Sequence, residues 1–182
     1  EPAQAGDLID RVAEGFEDLL VVRSDRLGRR LLVLGRGKDG SASLIAARWP
    51  EARDRSFDTI DLSLSLEEPP IDAVLTRSGT ALVLFENGKL ALYRGGRRNF
   101  RSPVATLEFP GGSVLEVSAD GVLLGSPGKV DLIDAQGRDL TPRKSLALRD
   151  ESGAPINSGV LALCALGTGV AVATETGQMF YA

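Results

Sequence analysis

The chain has 182 residues, with 21 Lys+Arg against 25 Asp+Glu for a net charge of −4, one cysteine and no histidine. Ordinary apolar content and balanced charge exclude a disordered chain, and the mild negative charge gives no footing for nucleic acid or an anionic membrane. The absence of histidine removes His-based metal sites and the Ser-His-Asp and Cys-His nucleophile systems, leaving carboxylate, lysine or tyrosine chemistry. A lone cysteine makes no intrachain disulfide, and Cys164, inside VLALCAL, reads as a small buried hydrophobe. No window approaches the roughly 18 consecutive apolar residues of a membrane span. The sequence opens at Glu1 without a methionine, as it would after removal of a leader or inside a longer chain.

Residues 1–16 read two ways. Leu8, Ile9, Val12 and Phe16 fit a helical stripe with Asp7 as N-cap and Gly15 as stop, yet Leu8–Ala13 also suits one short strand. From Asp18 onward β signals dominate. LLVV (19–22) and LLVL (31–34) precede a turn, GKDG, into SLIAAR (43–48). After the polar excursion WPEARDR, FDTIDLSLSL (57–66) alternates Ile60, Leu62, Leu64 and Leu66 with Asp61, Ser63 and Ser65, the pattern of a half-buried strand.

The stretch 71–94 gives IDAVLT, ALVLF and KLALYR, joined by turns at Ser78-Gly79 and Asn87-Gly88. A loop, GGRRNFRSP, leads to VATLEF (104–109). The cycle restarts at Pro110-Gly111-Gly112 with SVLEVS, GVLLG and KVDLID, then KSLALR (144–149). Beyond the loop DESGAPINSG come VLALCAL (160–166), VAVAT (170–174) and QMFYA (178–182).

The turn before each third strand aligns as KDG-SASLI, ENG-KLALY, SPG-KVDLI and ETG-QMFYA. Its glycines, Gly40, Gly88, Gly128 and Gly177, lie 48, 40 and 49 residues apart. A period of about 40–50 residues carrying four strands resembles the blade of a β-propeller. The resemblance implies an all-β fold of four repeat units, 17–66, 69–109, 112–149 and 159–182, with 7–13 as a closing strand for the last. Second strands that are apolar throughout (LLVL, ALVLF, VLL, VAVA) suit burial on both faces, and alternating fourth strands suit an outer edge. GKVDLIDAQGRDL (128–140) and ATETGQMFYA (173–182) are similar to quinoprotein-type blades. The blade-docking tryptophan of that family is missing, as are WD, kelch and Asp-box signatures. The resemblance is thus to a fold and implies no cofactor. A closed four-blade ring and a segment of a larger ring both fit the repeat, and a β-sandwich is a third arrangement.

Chemistry is sparse. Arg94, Arg97, Arg98 and Arg101, with Phe100, share YRGGRRNFRSP without an adjacent acid, a pattern that can grip a phosphate, a sulfated sugar or an acidic protein surface, or simply be solvated. A second basic run, Arg23, Arg26, Arg29, Arg30, Arg36 and Lys38, spreads around a hairpin and reads as a solubility feature. Asp131 and Asp134, three apart on a strand, face opposite sides and make a poor cation site. With no catalytic constellation and no metal or cofactor residues in view, the expected function is a non-catalytic protein-interaction platform or accessory subunit. Its expected partner is a protein and not nucleic acid, with self-association to complete the ring as a further possibility. The alternative is an exported ligand-binding or carbohydrate-active propeller.

Overall fold

The computed structural model describes residues 13–25, 29–48, 60–76, 78–94, 102–135, 137–167 and 169–181. The described strands fall into four sheets. The first holds β1 (Asp18–Ser24), β2 (Arg30–Arg36), β3 (Ala42–Arg48) and β4 (Ile60–Leu66). The second holds β5 (Pro70–Leu75), β6 (Thr80–Phe85), β7 (Lys89–Arg94) and β8 (Ala105–Glu108). The third holds β9 (Val114–Val117), β10 (Val122–Ser126), β11 (Lys129–Asp134) and β12 (Thr141–Ala147). The fourth holds three described strands, β13 (Val160–Leu166), β14 (Gly169–Thr174) and β15 (Met179–Tyr181). Each sheet is an antiparallel meander in chain order.

The meanders follow from local chemistry. Gly40, Gly88, Gly128 and Gly177 all have φ between 76° and 83°, a region that costs other residues a Cβ clash. The repeat found by aligning these glycines is therefore a repeat of one left-handed glycine conformation at the hairpin before each third strand. At Asn87-Gly88 the asparagine side chain also accepts the Lys89 amide at 3.0 Å, fixing the turn from within.

The sheets stack through their faces. The inner strands pack in succession, β1 on β5, β5 on β9 and β9 on β13. This radial arrangement is a four-bladed β-propeller. Three apolar joints hold it. The first pairs Leu32, Leu34, Leu44 and Leu64 with Val83, Phe85 and Tyr93. The second pairs Leu82, Leu84, Leu90 and Leu92 with Leu115, Leu124 and Ile133. The third pairs Val114 and Val130 with Val160, Val170 and Val172. The second sheet is thus covered on both sides, and every residue of β6 is buried.

The fourth sheet departs from expectation. Its second strand, β14, alternates buried and half-buried residues, because Val170, Val172 and Thr174 face the third sheet while Ala171 and Ala173 face away. Cys164, opposite Ala171, shares that outward side and is exposed, correcting the expected burial of the thiol. The proposed closing strand 7–13 lies outside the described residues except for Ala13. That residue opens a turn, its carbonyl accepting the Phe16 amide at 2.9 Å. Among the described residues, no helix is long and apolar enough to cross a membrane.

Candidate functional site

Strand direction sorts the connections into two ends. Each first strand runs toward the same end as the hairpin turns at 76–79 and 118–121 and the turn beginning at Gly167; each second strand runs back. Each third strand returns to that end, so β7 reaches it at Arg94 and the chain re-enters the sheet near Val104, whose amide donates to Leu92 O at 2.8 Å. Arg94 is half-buried at this rim. Arg97, Arg98, Phe100 and Arg101 lie outside the described residues.

Two openings mark the same end. A groove of about 390 Å³ between the second and third sheets is lined by Thr76, Ser78, Val117, Ser118 and Val122, among others. Its hydroxyls are tied together: Thr76 Oγ1 lies 2.9 Å from Ser78 Oγ and 2.5 Å from Thr80 Oγ1. A second opening, of about 230 Å³, draws on Ser24 of β1, Glu116 and Val117 of β9, Ala165 of β13 and Gly167 just beyond it. It therefore sits where the inner strands converge.

Beside that opening lies a charge cluster. Asp72, on β5, is buried. Its Oδ1 accepts the Ala73 amide at 2.8 Å, and its Oδ2 accepts the Leu115 amide at 2.7 Å and Arg23 Nη2 at 3.2 Å. Arg23 Nη1 donates to Leu115 O at 2.7 Å. One carboxylate and one guanidinium thus join β1, β5 and β9. Arg23 can reach them because it pairs with Leu32, whose side chain fills the first joint, so both point toward the second sheet. Burial pushes the Asp72 carboxyl up, against the pull of Arg23 and the two amides. Burial likewise pushes Glu116 up, with Arg23 opposing and Asp72 adding to the rise. Both Asp72 oxygens and both terminal Arg23 nitrogens are engaged within the protein. The cluster is a staple between inner strands, and its groups are not aimed at a substrate.

The other singled-out charges are separated. Arg30 lies against the second sheet, where a Cβ on Gly79 would fall 1.7 Å from its Nη1. The basic run at 23–38 is therefore only partly a solvated surface: Arg23 and Arg30 serve packing, and Arg26 lies outside the described residues. Asp131 is buried and pairs with Lys129 Nζ at 2.9 Å, whereas Asp134 pairs with Arg143. Among the described residues, no cluster of three or more His, Cys, Asp or Glu side chains is placed to hold a metal. Sequence reasoning missed Asp72; its only local signal was a carboxylate inside an otherwise apolar first strand, IDAVLT.

The fold defines the class, a small four-bladed β-propeller. No family model and no curated protein matches the sequence. Similar solved structures include the computationally designed Ika4 protein, at 14% identity and TM-score 0.59 over 93% of each chain. BamB from Moraxella catarrhalis is 18% identical at TM-score 0.54, over 91% of this chain and 50% of that one. The N-terminal domain of Nup159 is 14% identical at TM-score 0.53, over 85% and 38%. The present chain spans 93% of Ika4 but about half of BamB. At these identities the likeness is one of fold.

Proposed function

We propose that the protein is a non-catalytic interaction platform that binds an acidic protein surface through its loop-bearing end, with Arg94, Arg97, Arg98, Phe100 and Arg101 as the contact set. The observation that carries the reading is the run of four arginines in YRGGRRNFRSP, none beside an acid, on the connection that leaves β7 at Arg94. Arginine forks suit carboxylates and phosphates, and Phe100 adds a stacking surface. The three packed joints behind it supply a rigid base, which lowers the ordering cost of binding. Arg97→Ala/Arg98→Ala should weaken capture of a stoichiometric partner, and the wild-type interaction should weaken as salt rises. Binding unchanged in the double variant and flat in salt would refute the assignment.

The hydroxyl-lined groove beside Thr76 and Ser78 favours a second reading, a small polar ligand such as a glycan. A thermal-shift screen separates the two, because a ligand that binds only the folded state raises the melting temperature.

A further inference from the structure

Among the described residues, eight large hydrophobic side chains are exposed, and seven of them lie at the two ends of the array of sheets. Leu19, Leu20 and Val22 are on β1, Leu161 and Leu166 on β13, and Met179 and Tyr181 on β15. Only Val104, just before β8, lies beside a middle sheet. Lone exposed hydrophobes are common on protein surfaces, but their concentration at two matched places is not.

The register shows which sides these residues take. On the fourth sheet, Leu163 pairs with Val172, and both face the third sheet; Ala162, Cys164, Leu166, Ala171 and Ala173 alternate to the opposite side. Met179 and Tyr181 pair with Ala173 and Ala171 and join that side. On the first sheet, Val22 pairs with Val33, which faces away from the joint made by Leu32 and Leu34. Phe16 and Ile45 pack over Leu31, Val33 and Ala47 there, leaving the inner strand's Leu19, Leu20 and Val22 open.

Each internal joint sets the rear of one sheet against the front of the next, with successive inner strands in contact. The fourth sheet presents an uncovered rear and the first an uncovered inner-strand front. The β13 and β1 strands do not pack against one another as β1 and β5, β5 and β9, or β9 and β13 do. The fourth sheet's rear and the first sheet's inner strand are thus the parts of such a joint left open, Leu31, Val33 and Ala47 of the first sheet being already buried within the chain. We infer that they are mated between two copies of this chain, head to tail, so that the β13 side of each (Leu161, Cys164, Leu166) closes on β1 of the other (Leu19, Leu20, Val22). A second copy is the occupant because it carries the required front face, and a heterologous joint made twice closes a ring. This interface lies on the flanks of the array and does not depend on the arginine-bearing end.

Cys164, the single cysteine, is exposed at the centre of the inferred joint and serves as a reporter. Light scattering should give twice the 19.2 kDa chain mass, with dissociation on dilution. Leu161→Glu/Leu166→Glu, at exposed positions, should weaken the dimer by about tenfold or more while leaving the circular dichroism spectrum unchanged, because the joint would then desolvate carboxylates. A bismaleimide should link wild-type chains to Val22→Cys/Cys164→Ser chains in a mixture, and link neither sort to itself. Three results would overturn the inference: a 19.2 kDa particle at every concentration, self-linking of wild-type chains through Cys164, or linking within one chain of a separate Val22→Cys variant that keeps Cys164. Because the cross-linking arm introduces no charge, it decides the matter even if the glutamate variant misfolds.

Discussion

The joint between the second and third sheets and the outward flank of the fourth are made from the same materials. Both are faces of antiparallel meanders built on Val, Leu and Ala. In the joint, Leu82, Leu84, Leu90, Leu92, Leu115 and Leu124 are fully shielded from solvent. On the flank, Leu161 is 61% exposed and Met179 85%. The difference shows that an apolar strand in a propeller is stabilising only as a pair of faces. The hydrophobic free energy follows area removed from water, and the flank removes little within one chain.

That contrast can be broken most directly by cutting the same side chain on each side of it. Leu115→Ala should cost about 2–5 kcal/mol of unfolding free energy, because it empties a space between two sheets that cannot collapse freely. Leu161→Ala should change stability by no more than about 0.5 kcal/mol in the monomer. Urea titrations of the two variants at one concentration read the difference; comparable losses would show that the flank is as well packed as the joint.

The staple gives the next largest effect. Asp72→Ala leaves the Leu115 amide without its acceptor and Arg23 without its ion pair, a loss of about 1–3 kcal/mol with Arg23 partly solvated. Its pH signature has a definite sign. The Asp72 carboxyl titrates above its ordinary value in the folded protein, so the native state holds the proton more tightly than the unfolded one. Stability should therefore fall as pH climbs from the ordinary carboxylate range through the raised folded value. Asp72→Asn should flatten that slope, leaving the contribution of Glu116, which burial also raises. A series of denaturation midpoints across that range measures it.

The smallest contrast lies in the repeated turn. Gly88 and Gly177 share the same backbone conformation, but a Cβ at Gly88 would meet Phe109 O at 2.6 Å, while one at Gly177 would meet nothing within 4 Å. Gly177→Ala should cost about 1 kcal/mol for the left-handed φ alone. Gly88→Ala should cost measurably more, because backbone of the connection to the third sheet must also shift. Equal losses in thermal unfolding would mean that the connection yields freely.

Much of the architecture was legible because it is local. Positive φ at Gly40, Gly88, Gly128 and Gly177 and alternation in IDLSLSL are properties of a few adjacent residues, so a repeat read from them survives in the structure. The uniform apolarity of β6 also signalled a sheet covered on both faces. VAVA and VLALCAL carry nearly the same signal, and there it misled: Ala173 is half-buried and Cys164 exposed. Apolar composition states what a strand can bury, while the neighbouring sheet decides what it does bury.

The amino-acid order by itself determined the strands, their turns, the fourfold cadence and the arginine-rich connection after β7, since each depends on neighbours in the chain. Tertiary structure alone decided that Arg23 reaches Asp72 and Leu115, residues 49 and 92 positions away, and which of four similar apolar faces are sealed. The reason is physical. Burial and ion pairing are properties of two surfaces meeting, and one strand's sequence describes only one of them.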